Sequence, residues 1–364
     1  MKAIVVGGGA YGLACAERLA RSGATVELID QDEPAGPRAA SSARTRVLRY
    51  EYGDDVIFSE LTLRARARWR ELEQLSGERL FDQRGVIHFA GSEGDAQDER
   101  ALAVVGSLGI EIAALSREEI MRRWPAFSVE AEWGLWSPEG GLLWAHRCTN
   151  VLARVALDAG VVVRSQSRVV EAADGTVVLE DGTRLSADVV VLCTGSWSSK
   201  LDRRLEVIVP RRQVTAYFRA PITEIPVFGD GGRYFYGFPA HDGYGVKIGW
   251  HRVLDAEIAD PSRADRRTVS AEDIEPLARY LANLLPAAAG AALSEADVCF
   301  YAMTPDEAPV IDHLDERTIA AAGLSGHGYK FSCALGAIVG ELALGLEPSI
   351  DLSSFALDRP ALAA

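Results

Sequence analysis

With 364 residues, 48% of them hydrophobic, the chain is long enough to bury two cores, and sustained disorder is excluded. Its 38 basic and 52 acidic residues leave a formal charge of −14, which disfavours nucleic acid and anionic membrane surfaces and leaves small molecules as the expected partners. No apolar run reaches membrane-spanning length, no secretory signal fits ahead of the first strand, and Cys15, Cys148, Cys193, Cys299 and Cys333 lack any C-x-x-C spacing. They read as thiols of a reducing cytoplasm, not as a disulfide framework or a metal site.

Ala3 to Val6 is a short apolar run, and Gly7, Gly9 and Gly12 form a G-x-G-x-x-G turn between that strand and a helix expected over about Ala10 to Arg21. The first glycine permits a tight turn, the second lets backbone approach a pyrophosphate, and the third lets helix pack on strand. The helix directs its N-terminal amides at the phosphates and stops at Gly23. Thr25 to Ile29 reads as a second strand, and Asp30 closes it where an acid would accept hydrogen bonds from an adenosine ribose. Any α/β protein can carry a glycine-rich turn, but the strand before it, the helix after it and the acid at the next strand end point to a dinucleotide. These residues do not decide between FAD and NAD.

The Pro, Gly, Ser and Arg of the segment after Asp30 predict a loop with little regular structure. Arg44, Arg46 and Arg49 crowd into it, either as a solvated basic turn or around an anion. Val56 to Leu75 has helical spacing with Leu61, Ala65, Trp69 and Leu72 on one stripe. Gly85 to Phe89 reads as a strand, about Asp95 to Leu108 as a helix, and Ser116 with Glu119 as a capping box for a helix ending at Trp124. Trp133, Trp136 and Trp144 follow, with core packing favoured over a pocket. Thr149 to Ala159 is helical, three short strands over 161–180 suggest a parallel strand and an antiparallel meander, and Ala187 to Thr194 is a buried strand ending in Gly195.

From about Leu205 the pattern changes to strands without intervening helices: Val214 to Arg219, Tyr234 to Phe238, Gly245 to His251 and Val298 to Met303. That predicts an antiparallel sheet in a second domain, with a helix over Ala271 to Leu284 capped by Ser270. Thr318 to Ala322, the glycine turn through Gly326 and Gly328, and a helix over Phe331 to Leu344 then return the chain to the first domain. Alternation puts Lys247 and His251 on one strand face about 13 Å apart, with Tyr236 and Tyr301 on neighbouring runs. A strand Cys or Tyr alone is most simply packing. Lys247 is the exception, because a buried cation is costly unless water or an anion meets it. The amides of Gly326 to Gly328, a helix N-terminus and Lys330 make a second place where negative charge would be favoured, such as that of a reduced flavin.

Together these stretches resemble a family. The fingerprint, TRVLRYEYG at Thr45 to Gly53, YGFP at Tyr236 to Pro239, KIGWH at Lys247 to His251, CFYAMTPDE at Cys299 to Glu307 and GHGYKFS at Gly326 to Ser332 stand in the order found in monomeric sarcosine oxidase and N-methyltryptophan oxidase. These belong to the D-amino-acid-oxidase-like flavoproteins. The resemblance covers essentially the whole chain and implies a two-domain α/β (α+β) protein. A Rossmann-like FAD-binding domain would use residues 1–80, 145–204 and 304–364, and a substrate-binding domain on an antiparallel sheet residues 81–144 and 205–303.

By the same resemblance the cofactor is FAD, covalently bound through Cys299, with Gly7, Gly9, Gly12, Asp30, Thr45, Arg46, Gly195, Gly326, Gly328 and Lys330 also in its site. Lys247 would activate dioxygen, Arg49 and Lys330 would hold a substrate carboxylate, and Tyr236, His251 and Tyr301 would line the pocket. The implied reaction is oxidation of a secondary amino acid, N-methyl or cyclic, by hydride transfer to the flavin, with imine hydrolysis and release of hydrogen peroxide. A monomer in the cytoplasm is expected. SSAR before Thr45, Trp250 and Ala302 depart from the sarcosine-oxidase pattern, so the amine is open. A dehydrogenase passing electrons to a carrier, a pyridine-nucleotide enzyme and a silent flavin-binding module are the competing readings.

Overall fold

Lys2–Val6 lies near the middle of a six-stranded sheet in the computed structural model, which describes residues 1–91, 95–251, 257–258, 260–265 and 268–362. The order is Val310–Asp315, Thr318–Ala322, Val189–Leu192, Lys2–Val6, Thr25–Ile29, Val162–Arg164. Neighbours run parallel except Val310–Asp315, which is antiparallel to Thr318–Ala322. A parallel sheet must be covered on both faces, so Ile4 and Val5 are equally buried although their side chains point opposite ways. Val5 joins the core under helices Ala10–Arg21, Val56–Ser76, Ala145–Asp158 and Ser332–Ala343. Ile4 joins the core under the antiparallel meander Val169–Ala173, Thr176–Leu179, Arg184–Ser186.

A second sheet has eight strands in the order Leu293–Met303, Val209–Phe218, Gly245–Trp250, Phe235–His241, Val227–Asp230, Val86–Phe89, Trp133–Ser137, Ala113–Ser116. It departs from the antiparallel expectation at one join, where Val227–Asp230 runs parallel to Val86–Phe89. Between those strands the chain makes a long excursion through the first sheet, so no hairpin dictates their direction. Helix Ala271–Leu284 covers one face through Leu277 and Leu281 against Phe218, Val246 and Ile248.

The segment after Asp30 is more ordered than its composition predicts. Arg46–Leu48 pairs with Gly141–Leu143, which also pairs with Phe81–Asp82. The tryptophan-rich stretch forms two strands, with Trp136 packed 4.7 Å from Trp124, as core packing requires. The helix expected from Thr149 begins at Ala145. The expected capping box forms at Ser116 with Glu119, and the expected N-cap Ser270 makes a second one with Asp273. No helix among the described residues is long and apolar enough to cross a membrane.

Candidate active site

The opening turn forms one end of a long, open-mouthed cleft that runs from the first strand end to the last glycine turn. Gly7, Gly9, Asp30, Arg46, Gly195, Gly326 and Gly328 all line it, with Ser41, Tyr301 and Tyr329. Gly7 has φ 106°, and a Cβ there would lie 2.4 Å from the Cys193 carbonyl oxygen. Gly12 is not on the wall: its Cβ would fall 1.8 Å from the Gly7 oxygen, so it sets the helix against the turn. Asp30 accepts from the amides of Gly8 and Asp32. Burial raises its carboxyl, and those two hydrogen bonds pull the other way.

The fit to a dinucleotide is testable on the wall itself. A Cβ on Gly195 would meet nothing within 4 Å, and one on Gly9 only side-chain atoms at ordinary contact distance, Ser41 Oγ at 3.7 Å and Ala39 Cβ at 4.0 Å. Ser41 Oγ is itself buried without a partner, and the helix N-terminus at Ala10 lies alongside. Open space against backbone amides, with an orphaned hydroxyl turned to it, suits a phosphate-bearing ligand. The residues present fit FAD.

One face of the eight-stranded sheet carries the polar groups. Cross-strand partners share a face, and Lys247 stands opposite Tyr217 and Phe238, Gly249 opposite Tyr236 and Thr215, Gln213 opposite Cys299, and Arg211 opposite Tyr301. Gly249 is required there because a Cβ would strike the Tyr236 ring at 2.4 Å. Lys247 is 1% exposed. Its Nζ donates to the Thr45 carbonyl at 3.1 Å and hydroxyl at 3.4 Å, and has the Phe238 ring 5.1 Å away. Burial, then the Arg46 charge, pushes this lysine down to about 7. Thr45 therefore touches Lys247 rather than lining the cleft, and Cys299 sits on the same face within reach of the charges of Arg46 and Lys247.

The crowded arginines divide. Arg44 pairs with Glu295 at 2.8 Å and stacks over Tyr244. Arg46 turns inward, donating to the carbonyls of Ala40 and Thr45. Arg49 donates to the Glu51 carbonyl and lies 4.2 Å from the Tyr52 ring centroid. Lys330 reaches the same tyrosine from the glycine turn, donating to its hydroxyl and to the His327 carbonyl. Arg49 and Lys330 thus converge on Tyr52. Burial and then the Arg49 charge hold Lys330 well below its ordinary range, a repulsion that a bound anion would relieve. Next to them His251 stands 3.8 Å from Glu307 and 5.4 Å from the Tyr301 ring, and His327 Nε2 bonds the Glu307 carbonyl at 2.8 Å.

Tyr52, Glu307 and His327 were missed as single residues, although each falls inside a stretch that stands out in the sequence. Tyr217 and Asp297 carry no motif. Tyr217 Oη approaches the Thr45 side chain without a hydrogen bond of ordinary geometry.

The family described as FAD dependent oxidoreductase (DAO) matches residues 2–342. The chain is 30% identical to monomeric sarcosine oxidase from Bacillus sp. (strain B-0618), covering 99% of this chain and 96% of that one. It is 31% identical to N-methyl-L-tryptophan oxidase from Yersinia pestis (strain Pestoides F), covering 98% of each. The structure of L-proline dehydrogenase from P. horikoshii superposes with a TM-score of 0.86 at 20% identity, covering 98% of this chain and 96% of that one. The chain belongs to the FAD dependent oxidoreductase (DAO) family, as an FAD-dependent amine oxidoreductase of the sarcosine oxidase type.

Proposed function

We propose that the enzyme oxidises a secondary amino acid, N-methylated or cyclic, and that dioxygen takes up the electrons as hydrogen peroxide. The observation that carries this reading is the convergence of Arg49 and Lys330 on Tyr52, beside a polar sheet face that buries Lys247. FAD, when bound, supplies the two-electron acceptor. The residues that would hold it are Gly7, Gly9, Asp30, Arg46, Gly195, Gly326 and Gly328, with Gly12 seating the helix behind the turn, Lys330 at the reactive end, and Thr45 acting there through Lys247.

Arg49 and Lys330 bind the substrate carboxylate and so orient its C–H bond, an effect of positioning. Tyr236, His251 and Tyr301 enclose the rest of the substrate and exclude water. His251, paired with Glu307, influences the amine proton without being assigned as its base. The amine must be neutral to lose a hydride equivalent, and the product imine is hydrolysed by water. Lys247 places a cation where negative charge grows on dioxygen. The charges of Arg46 and Lys247 lie within electrostatic reach of the Cys299 sulfur, the kind of setting a covalent link to the cofactor through that sulfur would use.

The six-stranded sheet would belong to an FAD-binding domain of residues 1–80, 145–204 and 304–364, and the eight-stranded sheet to a substrate domain of residues 81–144 and 205–303. The protein would act as a cytoplasmic monomer. Purified protein given N-methyl and cyclic amino acids under air is expected to form one hydrogen peroxide per amine consumed. Reduction of an artificial electron carrier without peroxide would transfer the reading to a dehydrogenase. Acid denaturation should leave yellow colour on the chain, and release of that colour would remove the Cys299 link alone.

A further inference from the structure

Among the described residues eight buried side-chain polar atoms have no hydrogen-bond partner, and five of them share one patch: Arg44 Nε, Trp144 Nε1, Tyr217 Oη, His241 Nε2 and Asp297 Oδ2. The patch is continuous. The His241 ring lies 5.6 Å from Trp144 and 5.8 Å from Tyr217, and Tyr217 lies 5.8 Å from Tyr244, over which Arg44 stacks at 3.9 Å. Its outer end is the Arg44–Glu295 pair, whose side chains are 38% and 35% exposed. Its inner end is Lys247, with Nζ 5.6 Å from the Tyr217 ring centroid and Asp297 close enough to act on both. Tyr217 is the direct cross-strand neighbour of Lys247 on one side and of Glu295 on the other.

The polarity of the five atoms decides what can satisfy them. Trp144 Nε1 and Arg44 Nε only donate, and Asp297 Oδ2 accepts. His241 Nδ1 lies 2.8 Å from the Pro239 carbonyl, which places its hydrogen there and leaves Nε2 an acceptor. The Tyr217 hydroxyl does both. An anion would leave the acceptors bare, and a cation would leave the donors bare. Water serves both, and buried polar groups that lack protein partners are typically met by it.

We propose that a file of ordered waters runs along this patch from the Arg44–Glu295 pair to Lys247 and passes protons between bulk solvent and its amine. The catalytic consequence rests on placing dioxygen reduction at Lys247. Forming hydrogen peroxide takes two electrons and two protons. The hydride equivalent from the substrate brings both electrons and one proton. The second proton leaves Lys247 Nζ and is replaced from solvent through the file. A lysine pushed down to about 7 can give and regain a proton at neutral pH, which an exposed lysine does poorly.

Two measurements test this. A crystal structure of the holoenzyme that orders its waters is expected to show connected waters within hydrogen-bond distance of Tyr217 Oη, Asp297 Oδ2 and His241 Nε2. A dry patch overturns the proposal. In stopped-flow reoxidation of amine-reduced enzyme by dissolved oxygen, Tyr217→Phe and Asp297→Asn are each expected to slow the reaction by about tenfold or more and to raise its solvent deuterium isotope effect. Anaerobic reduction should change little. Tyr217→Phe removes a hydroxyl whose one protein neighbour, the Thr45 side chain, is not in ordinary hydrogen-bond geometry, so folding is not at risk. Unchanged reoxidation in both variants overturns the proposal. Lys247→Met separates it from the reading beneath it. If that variant slows reoxidation and the other two do not, the file fails and the placement of oxygen chemistry stands. If Lys247→Met reoxidises normally, the placement fails, and the crystallographic waters alone decide the file.

Discussion

Lys247 shows how one side chain couples stability to chemistry. Its ammonium group is buried and, among the described residues, donates only to oxygens of Thr45, with Arg46 adding repulsion and Asp297 opposing it. Its value in the folded chain, about 7, lies below the ordinary lysine value of about 10.4. Between those limits the unfolded chain binds the proton more tightly, so this group makes the native state gain stability as pH rises through that window. The penalty is present in full below about pH 7. Lys247→Met should therefore leave the melting temperature unchanged or raised near neutral pH, a result thermal scans would check. The same substitution should slow reoxidation by dioxygen on the order of 10²–10³-fold, with anaerobic reduction largely intact. In the wild type, reoxidation should fall on an alkaline limb at about pH 7 or above, since an anion beside the amine lifts its value. Stopped-flow rates without such a limb, or a limb retained in Lys247→Met, would remove Lys247 from the oxygen step.

At the scale of elements, the cofactor turn depends on a contact remote in sequence. Helix Ala10–Arg21 presents its N-terminus to the cleft and is held by helix Ser332–Ala343 at two glycines. A Cβ on Gly336 would lie 2.6 Å from the Tyr11 carbonyl oxygen and 2.8 Å from Ala14 Cβ, and one on Gly340 would lie 2.9 Å from Arg18 Cγ. Gly336→Val should force the helices apart, at a loss of about 1–3 kcal/mol in urea unfolding, with a lower flavin content per chain. Retention of both would mean that the turn keeps its shape without this support. The first helix was legible because its signal is local: three glycines, an apolar strand before and an acid after. The clamp was legible only through stretches matched to a family, since nothing local in Arg49 or Lys330 announces that they meet at Tyr52. Arg46–Leu48 looks like loop in the sequence because its strand character comes from pairing with Gly141–Leu143, far along the chain. The parallel join of Val227–Asp230 to Val86–Phe89 was hidden for the same reason. Tyr217 and Asp297 read as ordinary strand residues, and only the register that sets them beside Lys247 gives them meaning.

At the scale of the whole molecule, the connection between the two sheets is itself held by an ion pair. The chain leaves the eight-stranded sheet at Met303 and enters the six-stranded sheet at Val310, and Glu307, the partner of His251, lies on the connection. Arg359, near the C-terminal end, grips that connection. It is 8% exposed, bonds both oxygens of Asp306 at 2.7 and 2.9 Å, and donates to the carbonyls of Ala308, Pro309 and Ala356. Burial raises the Asp306 carboxyl, but the Arg359 hydrogen bonds and charge, with the Ala308 amide, outweigh it and hold the group below its ordinary range. Removing the guanidinium strands a partly buried carboxylate and several carbonyls. Arg359→Ala should therefore lose about 1–3 kcal/mol at pH 7, mostly from the buried carbonyls left without a donor. Because the folded carboxyl titrates below the unfolded one, the stabilisation is complete above the unfolded value and is lost as pH falls through the folded one. The difference between wild type and variant should consequently narrow when denaturant unfolding is repeated below about pH 4. The loss should also reach the site, because the backbone that carries Glu307 and accepts from His327 is no longer fixed. An increase in KM for the amine is expected together with the lower stability. If Arg359→Ala unfolded more easily with KM unchanged, the connection would be a structural tie with no part in holding Glu307 and His251 in place.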